Sequence, residues 1–416
     1  MQEKYNIDSL RHIAILEDLP PWQMEVVAEA MESVDTRNGK LILESGTDDG
    51  YTYFFTEGQL ELQAADGGSK VIEPNLDNTS MPFANLRPRM FNVRARGKVN
   101  VMRVPDIVLS AAGCSGRAHD PNEIVVQSEE DLARSEAETN LSFRLYRDLK
   151  SDQAVLPSLP DLALRIRRAI DDEISDAKAV AKLVESDPAM ATKLLKVANS
   201  ALYGGLNNVE TCSNAVVRLG MDTTKKLVLT FALKEVFRSR DPVIQKRMQA
   251  LWKHSSYIAA ICFVLARRVP GMESEEALLI GLVHDVGSIA ILNYIEKYPE
   301  LAENEAVMEE TISRLRGELG AMILRKWNFG PQVVAGARDA ENWTHKHNRE
   351  PEFTDLLIVA QVHDRLRLGQ TDDLPTLDKI SAIQRVLGDE ASPETSLEIL
   401  HETKTQIEEM SRVLQG

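Results

Sequence analysis

The stretch EALLIGLVHDVGSIAIL, from Glu276 to Leu292, places adjacent His284 and Asp285 inside an apolar run with helical spacing. A buried imidazole and carboxylate need bonding partners, because an unpaired buried polar group costs roughly 1–3 kcal/mol. A divalent metal ion that takes nitrogen and oxygen donors would serve, with further ligands coming from other helices. A structural pair, hydrogen-bonded within a helical core, is the alternative.

Two other predicted helices offer additional ligands for such an ion. His254 lies in LWKHSSYIAAICFVLARRV, before the central run, and Asp364 lies in LLIVAQVHDRLRLG, after it. The order His254, His284, Asp285, Asp364 resembles the H...HD...D order of HD-superfamily phosphohydrolases. That resemblance implies a single divalent ion bound by these four residues and makes metal-dependent phosphohydrolysis one candidate function.

A second resemblance is more specific, and several separate stretches carry it between residues 156 and 345. This segment is similar to the HD-related output domain, HDOD, which implies an all-α, HD-like fold, no catalysis and binding to other signalling proteins. The stretches are LPSLPDLALRIRRAI at 156–170, ESDPAMATKLLKVANSALYG at 185–204, NAVVRLGMDTTKKLVL at 214–229, LWKHS at 251–255, GLVHDVG at 281–287 and ELGAMILRKWNFGPQVVAGA at 318–337.

The sequence departs from related domains where HDOD and HD-GYP proteins often carry a paired His-His. The corresponding segment reads ARDAENWTHKH, with Asp339 and Glu341 near the expected pair and His345 and His347 slightly later. No GYP motif is present. These departures argue against a cyclic-di-GMP phosphodiesterase of the HD-GYP type.

Helix signals support an all-α segment over residues 151–345 independently of the resemblance. In ESDPAMATKLLKVANSALYGG, Ser186 or Asp187 is placed to cap a helix whose first turn contains Pro188. Residues 346–416 predict three more helices that extend the output domain. The second His-Asp dipeptide lies here, and His363 is expected to be a partly exposed polar residue.

Residues 1–110 predict a different architecture, a small β-roll flanked by helices. Short runs separated by glycines, among them KLILES, KVIEP, FNVRAR and KVNVMRVP, are typical of antiparallel strands. The order of GKLILESGTDDGYTYFFTEGQLELQAADG at 39–67 resembles the cyclic-nucleotide-binding fold. The predicted fold class is therefore multidomain, a cyclic-nucleotide-binding-like roll (α+β) followed by an all-α HD-like output domain.

The phosphate-binding part of that resemblance is incomplete. Thr79 and Ser80 stand where the family's Gly-Glu pair is expected, so the ribose-binding carboxylate is missing. Arg89 corresponds to the phosphate-binding arginine, and a guanidinium suits bidentate oxyanion contacts. The roll is interpreted as a degenerate sensor or an interaction module, with nucleotide binding through Arg89 as the alternative.

Residues 111–150 are predicted to link the two parts. Gly113, Gly116 and Pro121 mark a break, and residues 128–150 then predict a charged helix with a thin apolar stripe. Such a helix would transmit movement, form a homodimer with its copy or act as a plain spacer.

Composition limits the partners and the compartment. The formal charge of −16 and the pI near 5.1 disfavour nucleic acid as a partner, since phosphate contacts dominate nucleic-acid affinity. Three widely spaced cysteines without a CxxC motif indicate a reducing compartment. The charged start and the absence of a run near 20 apolar residues predict a cytoplasmic protein without membrane partners.

Together these features predict a bacterial signal-transduction protein that is not an enzyme and has no required cofactor. Its HDOD domain would act by binding other proteins, under the control of the degenerate roll. The alternatives are a metal-dependent phosphohydrolase that uses His254, His284, Asp285 and Asp364, and a nucleotide-gated switch.

Overall fold

The computed structural model describes most of the chain outside the interdomain linker and several loops. The described residues are 10, 13–16, 19–34, 36–64, 68–74, 82–84, 89–112, 114, 144–145, 147–149, 156–171, 177–204, 207–298, 305–345, 350–370, 374–388 and 393–415. Most of the predicted linker helix, and with it the predicted dimer contact, lies outside these ranges.

The N-terminal part contains an antiparallel sheet with the order β1-β5-β3-β4, in which β2 also pairs with β5. The sheet confirms the predicted roll. Its strands within the described residues are β1 (Glu32–Val34), β2 (Leu41–Leu43), β3 (Tyr51–Gln63), β4 (Ser69–Ile72) and β5 (Asn92–Pro105).

Glycine-containing irregularities bend the long β3–β5 ladder. Gly58 has φ +90°, and a Cβ there would lie 2.5 Å from the carbonyl oxygen of Lys98, so only glycine fits. Opposite it, Gly97 has φ +80°. The two runs FNVRAR and KVNVMRVP therefore form one strand that continues through an irregularity at Gly97, and the expectation that they are separate strands is wrong.

Helices α1 (Pro21–Ala30), α2 (Asp106–Ala111) and α11 (Glu305–Lys326) belong to the same compact unit as the sheet. Helix α11 packs against α2. Its Arg325 donates to Asp48 across 2.7 Å, and the Asp48 side chain is only 3% exposed. Gly50 permits this approach, because a Cβ there would lie 2.5 Å from the Arg325 guanidinium.

The other compact unit is helical. Asp187 caps α5 by accepting from the backbone N–H groups of Ala189 and Met190, as predicted. The helices of this part are α3 (Asp161–Asp171), α4 (Ala177–Glu185), α5 (Pro188–Ala198), α6 (Cys212–Leu219), α7 (Met221–Ala232), α8 (Pro242–Ala266), α9 (Ser274–Val283), α10 (Val286–Lys297), α12 (Pro331–Asp339), α13 (Phe353–Leu368), α14 (Ser381–Leu387) and α15 (Pro393–Gln415).

The apolar stretch Ser274–Lys297 is long and apolar enough to cross a membrane by length and composition. The expectation that no run approaches this length is therefore wrong. In the most apolar 18-residue window, 94% of the residues are buried inside the protein. The stretch thus has the character of a core segment, formed by α9 and α10.

Contacts within the chain group its residues into two compact units. One comprises Met1–Leu156 with Lys297–Ala335, and the other comprises Pro157–Glu296 with Gly336–Gly416. Helix α11 thus lies in the unit of the sheet, although the sequence between 151 and 345 resembles one domain. The borders of the four segments 1–110, 111–150, 151–345 and 346–416 remain predictions.

The Asp48–Arg325 pair is expected to stabilise the first unit measurably. Arg325→Ala should lower the free energy of unfolding by about 1–3 kcal/mol, because it removes a charged partner from a nearly buried carboxylate. Chemical denaturation would measure the loss. The control is Arg314→Ala on the same helix, whose 3.6 Å contact with half-exposed Glu310 should contribute about 0.5 kcal/mol or less. Equal losses in the two variants would contradict a special role for Arg325.

Candidate functional site: a histidine–aspartate cluster in the helical unit

Two of the predicted ligands meet where α8 packs against α9. The imidazoles of His254, on α8, and His284, at the end of α9, have centroids 5.2 Å apart and an interplanar angle of 65°. His284 is buried, whereas the His254 side chain is 30% exposed. The cluster therefore has a buried side and a side that solvent can reach.

Gly281 makes this arrangement possible. A Cβ at this position would lie 2.6 Å from the Cα atom and 3.0 Å from the backbone nitrogen of Ala259, so the two helix backbones are in direct contact. Ala259 is five residues after His254, and Gly281 is three residues before His284. The small residues therefore determine how closely the two histidines approach.

His284 and Asp285 lie at the junction between α9 and α10, and the prediction of a pair inside one continuous helix is wrong. The His284 Nδ1–H donates to the carbonyl of Gly281 across 2.7 Å. A carbonyl can only accept, so a neutral His284 carries its lone pair on Nε2. Asp285 accepts a 2.7 Å hydrogen bond from the Ser288 hydroxyl.

Three side chains form a cluster with the donor types of a metal site. One ligand atom from each of His254, His284 and Asp285 lies within 4.8 Å of the others. Among the described residues, this cluster does not include Asp364. Two imidazoles and a carboxylate fit one divalent ion chemically, so these three residues are the ones that would hold it.

Asp364 is bound to other groups on both of its oxygens. Its Oδ2 accepts from His254 Nδ1 at 3.0 Å, and its Oδ1 accepts from Arg367 Nη2 at 2.6 Å and Nε at 3.0 Å. Burial alone would raise the pKa of Asp364, but its bonds to His254 and Arg367 outweigh burial and lower the pKa. Asp364 thus bonds His254 in this arrangement, and its role as a fourth ligand stays a prediction.

Arg367 is the site residue that the sequence analysis missed. It lies three residues after Asp364, a spacing that brings side chains together on a helix. That spacing was the available signal, but an arginine in the last turn of a helix usually interacts with solvent and with the helix dipole.

His363, the neighbour of Asp364, is buried at 2% exposure, so the expectation of a partly exposed residue is wrong. Burial lowers the pKa of His363 to about 4. The ring is therefore neutral near pH 7. It is one of the buried residues of α13, and it does not belong to the cluster of His254, His284 and Asp285.

The residues near the expected His-His pair are engaged in ion pairs. Asp339 bonds Arg338 at 2.6 Å, and Glu341 bonds Arg365 at 2.9 Å. The backbone carbonyl of His345 accepts from Ser381 and Arg385, which fixes the start of the C-terminal extension. His347 lies outside the described residues.

Arg89, the candidate nucleotide-binding residue, is 1% exposed inside the roll. Its guanidinium donates to Asp49 at 2.7 Å and to the backbone carbonyls of Ala84 and Tyr51. Asp49 also accepts from the Tyr53 hydroxyl. A carboxylate of the chain itself therefore binds the guanidinium that the sequence analysis assigned to a phosphate.

Thr79 and Ser80, the positions of the expected Gly-Glu pair, lie outside the described residues.

The helical unit is an all-α domain that holds a histidine–aspartate cluster. Residues 156–343 match the HDOD domain family, in the place where the sequence predicts that domain. This match, together with the N-terminal antiparallel sheet, confirms the predicted order of a sheet-containing part followed by a helical part. The likeness of the roll to the cyclic-nucleotide-binding fold stays a prediction.

Relatives and solved structures agree with this assignment. An uncharacterised protein of Treponema pallidum (strain Nichols) is 24% identical over 271 residues, which are 62% of this chain and about half (52%) of that protein. A Shewanella amazonensis protein, provisionally named a metal-dependent phosphohydrolase, is 24% identical with a TM-score of 0.56, over 67% of this chain and 98% of its own. An HDOD domain protein of unknown function from Geobacter sulfurreducens is 22% identical with a TM-score of 0.50, over 67% of this chain and 97% of its own. These structural similarities concern the fold.

Gly281→Ala is expected to destabilise the helical unit by roughly 1–3 kcal/mol, because a methyl group must separate two backbones in contact. Chemical denaturation would measure the loss. Gly330→Ala is the matched control, since a Cβ there meets no atom within 4 Å. If Gly281→Ala were as stable as Gly330→Ala, the helix contact would not be the constraint described above.

Arg89→Ala is expected to lower the stability of the roll by roughly 2–4 kcal/mol without any nucleotide, since it removes a buried partner of Asp49. Arg94→Ala, at an exposed position of β5, serves as the control. Thermal unfolding with and without cyclic AMP completes the measurement. A rise in the unfolding temperature of the unaltered chain with cyclic AMP would instead support a nucleotide-gated switch.

Proposed function

We propose that this chain is a regulatory protein whose HDOD domain is non-catalytic and acts by binding other signalling proteins. The observation that carries this proposal is the state of Asp364. Its two oxygens are bound to His254 and Arg367, so the carboxylate that would complete an H...HD...D ligand set serves as an internal bonding partner.

The rest of the cluster supports the same conclusion. Three donors remain for an ion, from His254, His284 and Asp285. The positions that would supply ligands for additional ions in HD-GYP proteins hold Asp339 and Glu341, and both are paired with arginines. These pairings support a domain whose carboxylates serve as internal bonding partners and not as metal ligands.

In this proposal the roll modulates the output domain. Its Arg89 is bound by Asp49, which favours a degenerate sensor or interaction module over a nucleotide receptor. Helix α11 offers a route for the modulation, because Arg325 bonds Asp48 of the roll and the chain continues directly from α11 into α12. A change in the roll that moves Asp48 would therefore act on the helix that leads to the output domain.

The partners are proposed to be proteins and not nucleic acid. Lys226, part of a small basic patch, bonds Glu273 and Glu276 and is neutralised by them. Lys225 beside it is buried. The patch therefore offers little charge to phosphates, in a chain whose formal charge is −16.

A metal-dependent phosphohydrolase is the second candidate, and the three-residue cluster favours it. A divalent ion held by His254, His284 and Asp285 would supply an activated water for attack on a phosphoester. His254 reaches solvent, so a substrate could approach from its side.

Asp285→Asn separates the two candidates. If the protein is a non-catalytic regulator, Asp285→Asn should restore the phenotype of a strain that lacks the gene as fully as the unaltered protein does. The purified unaltered protein, supplied with manganese or zinc, should show no more phosphoesterase activity than the Asp285→Asn variant. The physical reason is that Asn keeps the shape and a hydrogen-bond acceptor for Ser288 but removes the charge that an ion requires.

Asp339→Asn is the control, because Asp339 pairs with Arg338 outside the cluster. Loss of complementation and of a phosphoesterase activity in Asp285→Asn, but not in Asp339→Asn, would overturn the regulatory proposal in favour of the phosphohydrolase. Circular dichroism of both variants would verify folding.

A further inference from the structure

Arg367 occupies an unusual position beside the cluster. Two of its nitrogens bond the same oxygen of Asp364, at 2.6 and 3.0 Å. Its guanidinium carbon lies 4.5 Å from the centre of the Tyr257 ring on α8, so the group contacts both Asp364 and an aromatic face. The Arg367 side chain is 50% exposed, while that of Asp364 is 3% exposed. A half-exposed cation therefore covers a nearly buried carboxylate.

This contact opposes a divalent ion in two ways. The guanidinium places a positive charge beside Asp364. The same carboxylate bonds His254, one of the three candidate ligands. The guanidinium would therefore repel a cation that binds at the cluster. The contact also keeps an Asp364 oxygen engaged that would otherwise be free to bind the ion. Both effects lower metal affinity, and both end when the guanidinium is removed.

We propose that Arg367 is the resident cation of this site and the residue that sets its low affinity for divalent metal ions. The inference rests on the proposed non-catalytic function and names the residue responsible for it. Replacing Arg367 with a neutral residue would convert the three-residue cluster into a four-residue site for one divalent ion, composed of His254, His284, Asp285 and Asp364.

The test is calorimetric titration of the full, chelator-treated chain with Mn²⁺ at one fixed pH. Arg367→Gln should bind Mn²⁺ about 10- to 100-fold more tightly than the unaltered chain, the range typical of changes next to metal ligands. Arg367→Lys should show a smaller gain, because a lysine keeps the charge but not the paired contact. Arg365→Gln, on the same helix but bonded to Glu341, should leave the affinity unchanged.

The double variant Arg367→Gln/Asp364→Asn tests the route of the effect. If the gain acts through Asp364, the double variant should lose it. A gain that survives in the double variant would show a general charge effect and overturn the proposal. So would an Arg367→Gln variant that binds Mn²⁺ no better than the unaltered chain.

Mn²⁺ binding and phosphoesterase activity of the unaltered chain distinguish a failure of the proposed function from a failure of the role of Arg367. Tight Mn²⁺ binding by the unaltered chain, together with phosphoesterase activity, would overturn the non-catalytic function. Weak binding by both the unaltered chain and Arg367→Gln would overturn the role of Arg367 alone. Unfolding curves of the variants without metal would verify that a loss of binding does not reflect a loss of folding.

Discussion

The contact between the backbones of α8 and α9 at Gly281 is the constraint on which the helical unit depends. Because this position has no Cβ, the backbone of Ala259 lies close enough for His254 and His284 to become neighbours. The carbonyl of the same glycine accepts from the His284 ring and determines which nitrogen carries the lone pair. One residue therefore sets both the helix spacing and the orientation of a candidate ligand.

Arginine–carboxylate pairs that involve a buried side chain recur in both compact units. Asp364 is bound by Arg367, Asp49 by Arg89 and Asp48 by Arg325. Removing one member of a buried pair leaves a charge that is costly to bury, so such pairs tend to be retained together. In this chain they fix the geometry of the roll and of the histidine–aspartate cluster.

Local signals in the sequence predicted the architecture well and the site only in part. Short strand-forming runs, a helix cap at Ser186 or Asp187 and a buried apolar stretch are all signals from neighbouring residues. The structure agrees with them, except that two of the runs form one strand and the apolar stretch forms two helices. The bonds of Asp364 to His254 and Arg367 depend on how α8 and α13 pack and on side-chain orientation. The hydrogen bond of the His284 ring to the carbonyl of Gly281 is a side-chain contact that hydrophobic periodicity does not report. The linker helix lies outside the described residues.

Helix α11 gives the chain a discontinuous construction. It lies within the segment 156–343 that matches the HDOD domain, yet it packs with α2 and bonds Asp48 of the roll. Recombination that transferred residues 156–343 as a contiguous cassette would carry Arg325 away from Asp48 and deprive α2 of its neighbour. The unit that contains the sheet is therefore encoded by two separate stretches of the gene, and no single contiguous cassette drawn from either stretch carries it whole.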